Sequence, residues 1–117
     1  MNLPATIEAM RSRVPAASRV AFRSVSFRAG DKPVENQCHE NVARWIAENP
    51  NCVAVRGWLV TSGFLFDKHS LVRFADGPLF DITPLKTPTP FIEHPGDKDD
   101  FWKLGDQLNL VVHPGLF

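Results

Sequence analysis

The chain has 117 residues, of which 44% are apolar and 22% are charged, and its formal net charge is +0. These values predict a single domain over residues 1–117 with its own apolar core. The lack of a basic stripe, or of an apolar run of roughly 20 residues, argues against nucleic-acid binding and membrane insertion. The segment from Met1 to Ala21 places Glu8, Arg11 and Arg13 among its apolar residues. Because a signal peptide needs a continuous apolar centre, we expect none here and a cytoplasmic protein.

The first predicted element is a helix from Pro4 to about Arg13. Its apolar residues recur at helical spacing: Leu3, Ile7, Met10 and Val14. Pro15 should end this helix, because proline cannot continue the helical hydrogen bonds. Residues 19–27 then predict a strand, and residues 29–33 predict a turn or loop.

Residues 36–49 give the strongest helix prediction. Val42, Trp45 and Ile46 would share one face with Cys38, and the charged side chains of Glu40, Arg44 and Glu48 would lie toward the other. The sequence Asn49-Pro50-Asn51 should end the helix. Cys38 would therefore lie at the helix start and Cys52 just beyond its far end, roughly 18 Å away, which is too far for a disulfide.

The second half of the chain predicts mostly strands. Strands are predicted at residues 52–61, 69–74, 78–82 and 108–112. Residues 62–68 predict a loop or hairpin connection, the proline-rich residues 84–96 an irregular stretch, and the acidic residues 97–100 a solvated turn. Asp76-Gly77 is typical of a tight hairpin turn. The order of elements predicts an α+β domain in which helices pack on one side of an antiparallel sheet.

Cys38 is the candidate nucleophile. A thiol reacts as its thiolate, and a helix N-terminus favours the thiolate through its free N–H groups and partial positive charge. His69 opens a predicted strand and could accept the thiol proton. Asp81, flanked by apolar residues on the next strand, needs a partner if buried, and a histidine on the adjacent hairpin strand is a natural one.

The predicted hairpin register decides whether this histidine and aspartate meet. If the turn is the two residues Asp76-Gly77, His69 faces about Pro84 and Asp81 faces about Val72. Contact between the two side chains then requires a bulge, a wider turn or diagonal reach across the strands.

The ordered set of Cys38 at a helix start, His69 on a later strand and Asp81 on the following strand resembles the papain-like cysteine hydrolases. It is most similar to their compact transglutaminase-like and cell-wall amidase branches, over roughly residues 37–84. The resemblance implies a papain-like or transglutaminase-like core and thiol-mediated acyl chemistry without a cofactor, on an amide- or acyl-containing substrate such as a peptide. It makes Cys38 the nucleophile, His69 the general base and Asp81 the group that orients His69. The Cys38 backbone N–H, with Gln37 or Asn36, would then hold the oxyanion.

Two other readings of the sequence stay open. In one, zinc is bound by ligands drawn from the cysteine and the histidines, namely Cys38, His39, His69, His94 and His113. In the other, the chain is a binding module whose contact patch is formed by Phe64-Leu65-Phe66 and Phe101-Trp102, in segments that resemble loops.

Overall fold

The computed structural model describes residues 3–62 and 65–109 of the chain. The helices within these residues are α1 (Leu3–Arg13), α2 (Cys38–Glu48) and α3 (Lys98–Lys103), and a short 3-10 helix, Val14–Ala16, follows α1. The strands are β1 (Ser18–Arg19), β2 (Val53–Ser62), β3 (Leu65–Arg73), β4 (Leu79–Phe80), β5 (Pro90–Glu93) and β6 (Gln107–Asn109). No helix in the described ranges is long and apolar enough to cross a membrane.

The strands hydrogen-bond in the order β1-β5-β2-β3-β4, and β6 pairs with β3. The pairings of β1 with β5, β2 with β5, β3 with β4 and β3 with β6 are antiparallel. An antiparallel sheet accompanied by helices confirms the prediction of an α+β fold.

The chain folds as two units, each built from separate segments. Of the described residues, the first contains 3–19, 56–62, 65–68 and 89–109. Its core includes the fully buried ring of Trp58, which packs edge-on against Phe101 at a centroid distance of 5.4 Å. The other members of this core are Ile7, Met10, Phe66, Ile92 and Leu108.

The second unit contains residues 20–55 and 69–88. Its core is formed by Val42, Cys52, Val72, Phe74 and Ile82. Residues 27–34 are held to α2 by its polar face. Arg44 forms a bidentate pair with Asp31 at 2.5 and 2.7 Å, and the Glu48 carboxylate accepts a hydrogen bond from the Arg28 backbone N–H at 2.8 Å. These contacts fix the segment that leads into Cys38.

Several element predictions are wrong. The strand predicted at residues 19–27 is reduced to Ser18–Arg19 and an isolated parallel bridge between Phe22 and Asp81, because the backbone of Ala21 and Arg23 bonds to Asp81 rather than to a neighbouring strand. Part of the predicted 62–68 loop belongs to β3, so His69 lies within that strand rather than at its start. The proline-rich stretch contains β5, and the acidic turn begins α3, where the Asp97 carboxylate accepts from the Asp100 backbone N–H.

Candidate active site

Cys38 is the first residue of α2, and its side chain is 9% exposed. Its helix face is the buried one, since Cys38, Asn41 and Val42 all turn inward at the spacing of one helical turn. The sequence predicted this helix because the apolar residues whose spacing indicates it all lie within the helix itself. Cys52 is also buried but packs into the apolar core of the second unit, and both cysteines are free.

The Cys38 thiol lies within hydrogen-bonding reach of two imidazoles, those of His69 and His39. Burial pushes the pKa of Cys38 up, but the hydrogen bonds of His39 and His69, together with their electrostatic attraction for the thiolate, outweigh burial and lower it to about 6. The helix N-terminus acts in the same direction as the histidines. A thiol in this setting is ionised at neutral pH, when an ordinary one is not.

His69 is 3% exposed and joins Cys38 to Asp81. Its Nε2 lies 2.6 Å from Asp81 Oδ2. A carboxylate can only accept, so Nε2 must carry the hydrogen, and Nδ1 is left for the thiol. Burial lowers the pKa of His69, but the hydrogen bonds to Asp81 and Cys38 outweigh it and raise the pKa to about 9. Cys38 and His69 are therefore arranged as a thiolate–imidazolium pair.

Asp81 is held at both its side chain and its backbone. Its second carboxylate oxygen, Oδ1, accepts a hydrogen bond from the Thr83 backbone N–H at 2.9 Å. Its backbone N–H donates to the Ala21 carbonyl, and its carbonyl accepts from the Arg23 N–H, each at 2.9 Å. A carboxylate that is 3% exposed needs such partners. These bonds also fix the orientation of the Asp81 carboxylate toward His69.

The hairpin between β3 and β4 explains how His69 and Asp81 come to meet. Val72 pairs with Phe80, and the Phe74 N–H bonds to the Pro78 carbonyl, so the turn is the three residues 75–77, with Gly77 at a φ of 110°. The sequence predicted a two-residue turn. With one more turn residue, the same register continued places His69 opposite Thr83, and Asp81 becomes a diagonal neighbour of His69 on the same face of the hairpin.

A further buried side chain, Asn41, links the two sides of the site. Its side-chain N–H groups donate to the Val34 carbonyl at 2.8 Å and to Thr83 Oγ1 at 3.0 Å. Its Oδ1 accepts from the Val34 backbone N–H at 3.1 Å. Asn41 therefore ties the segment before Cys38 to the segment after Asp81. Sequence reasoning assigned it no role, although its place one turn after Cys38 put it on the same helix face.

Gln37 and Asn36, the predicted oxyanion residues, are exposed and lie immediately before α2. Asn36 has a φ of 66°, which asparagine tolerates better than most residues, at the third position of a turn closed by the Gln37 N–H and the Val34 carbonyl at 3.2 Å. The Gln37 backbone N–H is thus engaged. Gln37 is the N-cap of α2, and its side chain makes no capping bond, so its amide is the better placed of the two predicted donors.

His39 and Ser70 complete the arrangement and were not predicted as part of it. His39 Nδ1 lies 2.6 Å from Ser70 Oγ, and Ser70 is fully buried. The sequence offered one signal, an imidazole next to the candidate nucleophile, but it pointed only to a metal ligand. Among residues 3–62 and 65–109, no group of three or more His, Cys, Asp or Glu side chains is arranged to hold a metal ion. His113 lies outside the described residues.

The aromatic patch predicted as a contact surface is mostly interior. Phe66 and Phe101 are fully buried in the core of the first unit, whereas Trp102 is 46% exposed. Arg56 and Lys68 lie over the Trp102 ring at 5.1 and 5.4 Å from its centroid. Phe64 lies outside the described residues. Among the described residues of the patch, Trp102 is the exposed aromatic side chain, and its ring already contacts two cations.

No protein-family model, curated protein or solved structure matches the chain.

Proposed function

We propose that the chain is a cytoplasmic, thiol-dependent acyl-transfer enzyme with a papain-like or transglutaminase-like core. It would act as an amide or peptide hydrolase or as a transglutaminase-like transferase. One observation carries the proposal: the Cys38 thiol contacts His69, and His69 donates through Nε2 to the buried carboxylate of Asp81. This is the arrangement of nucleophile, base and orienting group that acyl transfer requires.

In the proposed reaction, the Cys38 thiolate attacks the carbonyl carbon of the substrate and forms the new C–S bond. The imidazolium of His69 gives its proton from Nδ1 to the leaving amine, and the C–N bond breaks. Neutral His69 then takes a proton from water, or from an acceptor amine, as that group attacks the acyl carbon. The thiolate leaves, and the imidazolium is restored.

Hydrogen-bond donors at the start of α2 would stabilise the oxyanion formed in each addition step. The backbone N–H of Cys38 lies at the N-terminus of α2, where helix amides favour negative charge. The side-chain amide of Gln37 is the second donor in this proposal, because its backbone N–H is already bonded to Val34. Asn36 shapes the turn that brings Gln37 to this position.

The pH dependence follows from the two pKa shifts. Cys38 is protonated below about pH 6 and loses its nucleophile, and His69 loses its proton above about pH 9 and can no longer protonate a leaving amine. Acyl transfer from an amide should therefore be fastest between these values. Alkylation of Cys38 needs only the thiolate, so its rate should rise through about pH 6.

The test is alkylation by iodoacetamide from about pH 5 to about pH 10, a range that brackets the ordinary thiol pKa of about 8.5. Mass spectrometry follows Cys38 and Cys52 separately, so Cys52 serves as the control within each sample. Cys38 should show its inflection near pH 6, and His69→Ala should move it to higher pH. The position of the inflection is the readout, since a more basic thiolate is also more nucleophilic and partly offsets the lost ionisation. An inflection of Cys38 at the ordinary value in the native protein would refute the proposal.

Acyl transfer itself can be tested with p-nitrophenyl acetate, whose acetyl group would pass to sulfur as p-nitrophenolate leaves. Acetylated Cys38 should be detected by intact mass, and turnover should continue as water releases acetate. Cys38→Ala should abolish both signals, and Cys52→Ala should retain them. Equal turnover by Cys38→Ala would exclude Cys38 as the nucleophile.

A further inference from the structure

A second histidine lies beside Cys38 at the start of α2. His39 follows Cys38 in the first turn of α2, it is half-buried, and its imidazole is a hydrogen-bonding partner of the thiol. On its other side it meets Ser70, whose hydroxyl oxygen lies 2.6 Å from His39 Nδ1. A nucleophile, base and orienting group need only one imidazole, so the triad leaves this second one without a role.

Strand β3 supports both imidazoles. Its residue His69 is a hydrogen-bonding partner of the Cys38 thiol, and the next residue, Ser70, holds His39. Ser70 is fully buried, so its hydroxyl cannot be satisfied by bulk solvent. When Ser70 donates to Nδ1, the hydrogen of a neutral His39 ring resides on Nε2. A neutral ring in that tautomer remains a hydrogen-bond donor.

We propose that His39, oriented by Ser70, is a second hydrogen-bond donor to the Cys38 sulfur and holds it in the ionised form together with His69. The inference rests on the proposed function, since it takes Cys38 as the nucleophile. His39 only donates a hydrogen bond to the sulfur, whereas His69 also transfers a proton. His39 acts directly on the reacting sulfur, and Ser70 is a positioning residue.

Loss of His39 and loss of His69 should therefore have different effects on the ionisation of Cys38 and on proton transfer. The titratable groups in contact with the thiol are His39 from α2 and His69 from β3, and Asp81 acts on it through His69. Without His39, the sulfur loses one donor while the His69–Asp81 pair is intact, so ionisation moves to higher pH and proton transfer persists. Without His69, ionisation of Cys38 also moves to higher pH, and proton transfer is lost.

The experiment compares His39→Phe, His39→Gln and Ser70→Ala with the native protein and with His69→Ala. The readouts are the inflection of Cys38 alkylation by iodoacetamide and the acetylation of Cys38 by p-nitrophenyl acetate. Phenylalanine keeps a ring without a donor, and glutamine restores an N–H donor without an imidazole. We expect His39→Phe to raise the inflection by about one pH unit, which means about tenfold less thiolate at a pH below both values. His39→Gln should recover part of this shift, and Ser70→Ala should produce a smaller shift in the same direction.

Cys38 in His39→Phe should still be acetylated and should still turn over at a pH above the new inflection. An unchanged inflection in folded His39→Phe, with His69→Ala shifted as expected, would overturn the role of His39 and leave the proposed function standing. If neither substitution moves the inflection, the proposed function fails as well. Circular dichroism verifies the fold of each variant. Should His39→Phe not fold, an inflection shared by His39→Gln, Ser70→Ala and the native protein would equally overturn the inference.

Discussion

The sharpest test of the site is Asp81→Asn, because it changes one contact and keeps the other. Asparagine has nearly the shape of aspartate, and its side-chain oxygen can still accept from the Thr83 backbone N–H. The atom that faces His69 becomes an NH₂ group in place of the carboxylate oxygen that lies 2.6 Å from Nε2. The substitution therefore removes the negative charge and the acceptor from His69 while leaving the turn around Thr83 in place.

The structure gives the size of the effect. The pKa of His69 is about 9 against an ordinary value of 6.5, although burial acts in the opposite direction. A difference of about 2.5 pKa units corresponds to about 3 kcal/mol, shared between its partners Asp81 and Cys38. With the carboxylate gone and burial retained, we expect the pKa of His69 to fall by at least about two units. The NH₂ group also favours an unprotonated Nε2, and the hydrogen then shifts to Nδ1, which can no longer accept the thiol proton.

The assay is an NMR titration of the imidazole signals in native protein, in Asp81→Asn and in Asp76→Asn, whose carboxylate lies exposed in the hairpin turn. A raised folded-state pKa stabilises the fold fully below the unfolded value of about 6.5 and loses this effect as pH rises through about 9. The stability lost in Asp81→Asn should accordingly be larger near pH 6 than above pH 9, as urea unfolding would measure. A His69 pKa that stays near 9 in Asp81→Asn would refute the reasoning, and so would an equal fall in Asp76→Asn.

Two further substitutions test the framework around the site and the sheet of the first unit. In Gly57→Ala, the new Cβ would lie 2.1 Å from the Ile92 carbonyl oxygen. The backbone of a hydrogen-bonded strand cannot move away from the new methyl group, so urea unfolding should show a free energy of unfolding lower by about 3 kcal/mol or more. A decrease below about 1 kcal/mol would contradict the pairing of β2 with β5 described above. Asn41→Leu keeps a side chain branched at the γ position but removes its bonds to Val34 and Thr83. It should lower the free energy of unfolding in urea by about 2–3 kcal/mol and raise the pH at which Cys38 is alkylated. An unchanged alkylation profile would show that Asn41 does not position the site.

The sequence could predict those parts of the site whose geometry is local. The helix that begins at Cys38 follows from apolar spacing over 11 residues, and the inward face of that helix follows from the same pattern. The segment from Arg19 to Phe27 shows the limit of such patterns. Its alternating apolar residues indicated a strand, yet Ala21 and Arg23 bond to the backbone of Asp81, which is distant in sequence. Bonds of this kind leave no periodic signal in the segment itself.

His39 and Ser70 were beyond prediction for a similar reason. A histidine beside a cysteine on a helix points about 100° away from it, so the sequence offered His39 only as a candidate zinc ligand and not as a partner of the thiol. The role proposed above depends on a serine 31 residues further along the chain, whose hydroxyl meets the ring at 2.6 Å. Neither residue type is unusual at its position, so a role for either one follows only from their contact in the folded structure.

The pairing of His69 with Asp81 depends on a single residue of the hairpin turn. A two-residue turn at Asp76-Gly77 would separate the two side chains by three positions and put them on opposite faces, because successive strand residues alternate. The observed turn includes Ala75 as well, and Gly77 takes the positive φ that three-residue turns require. The separation becomes two positions, which brings both side chains to one face within hydrogen-bonding distance. A site whose base and orienting group share one hairpin can thus be assembled or lost through turn length alone, with no change in either strand.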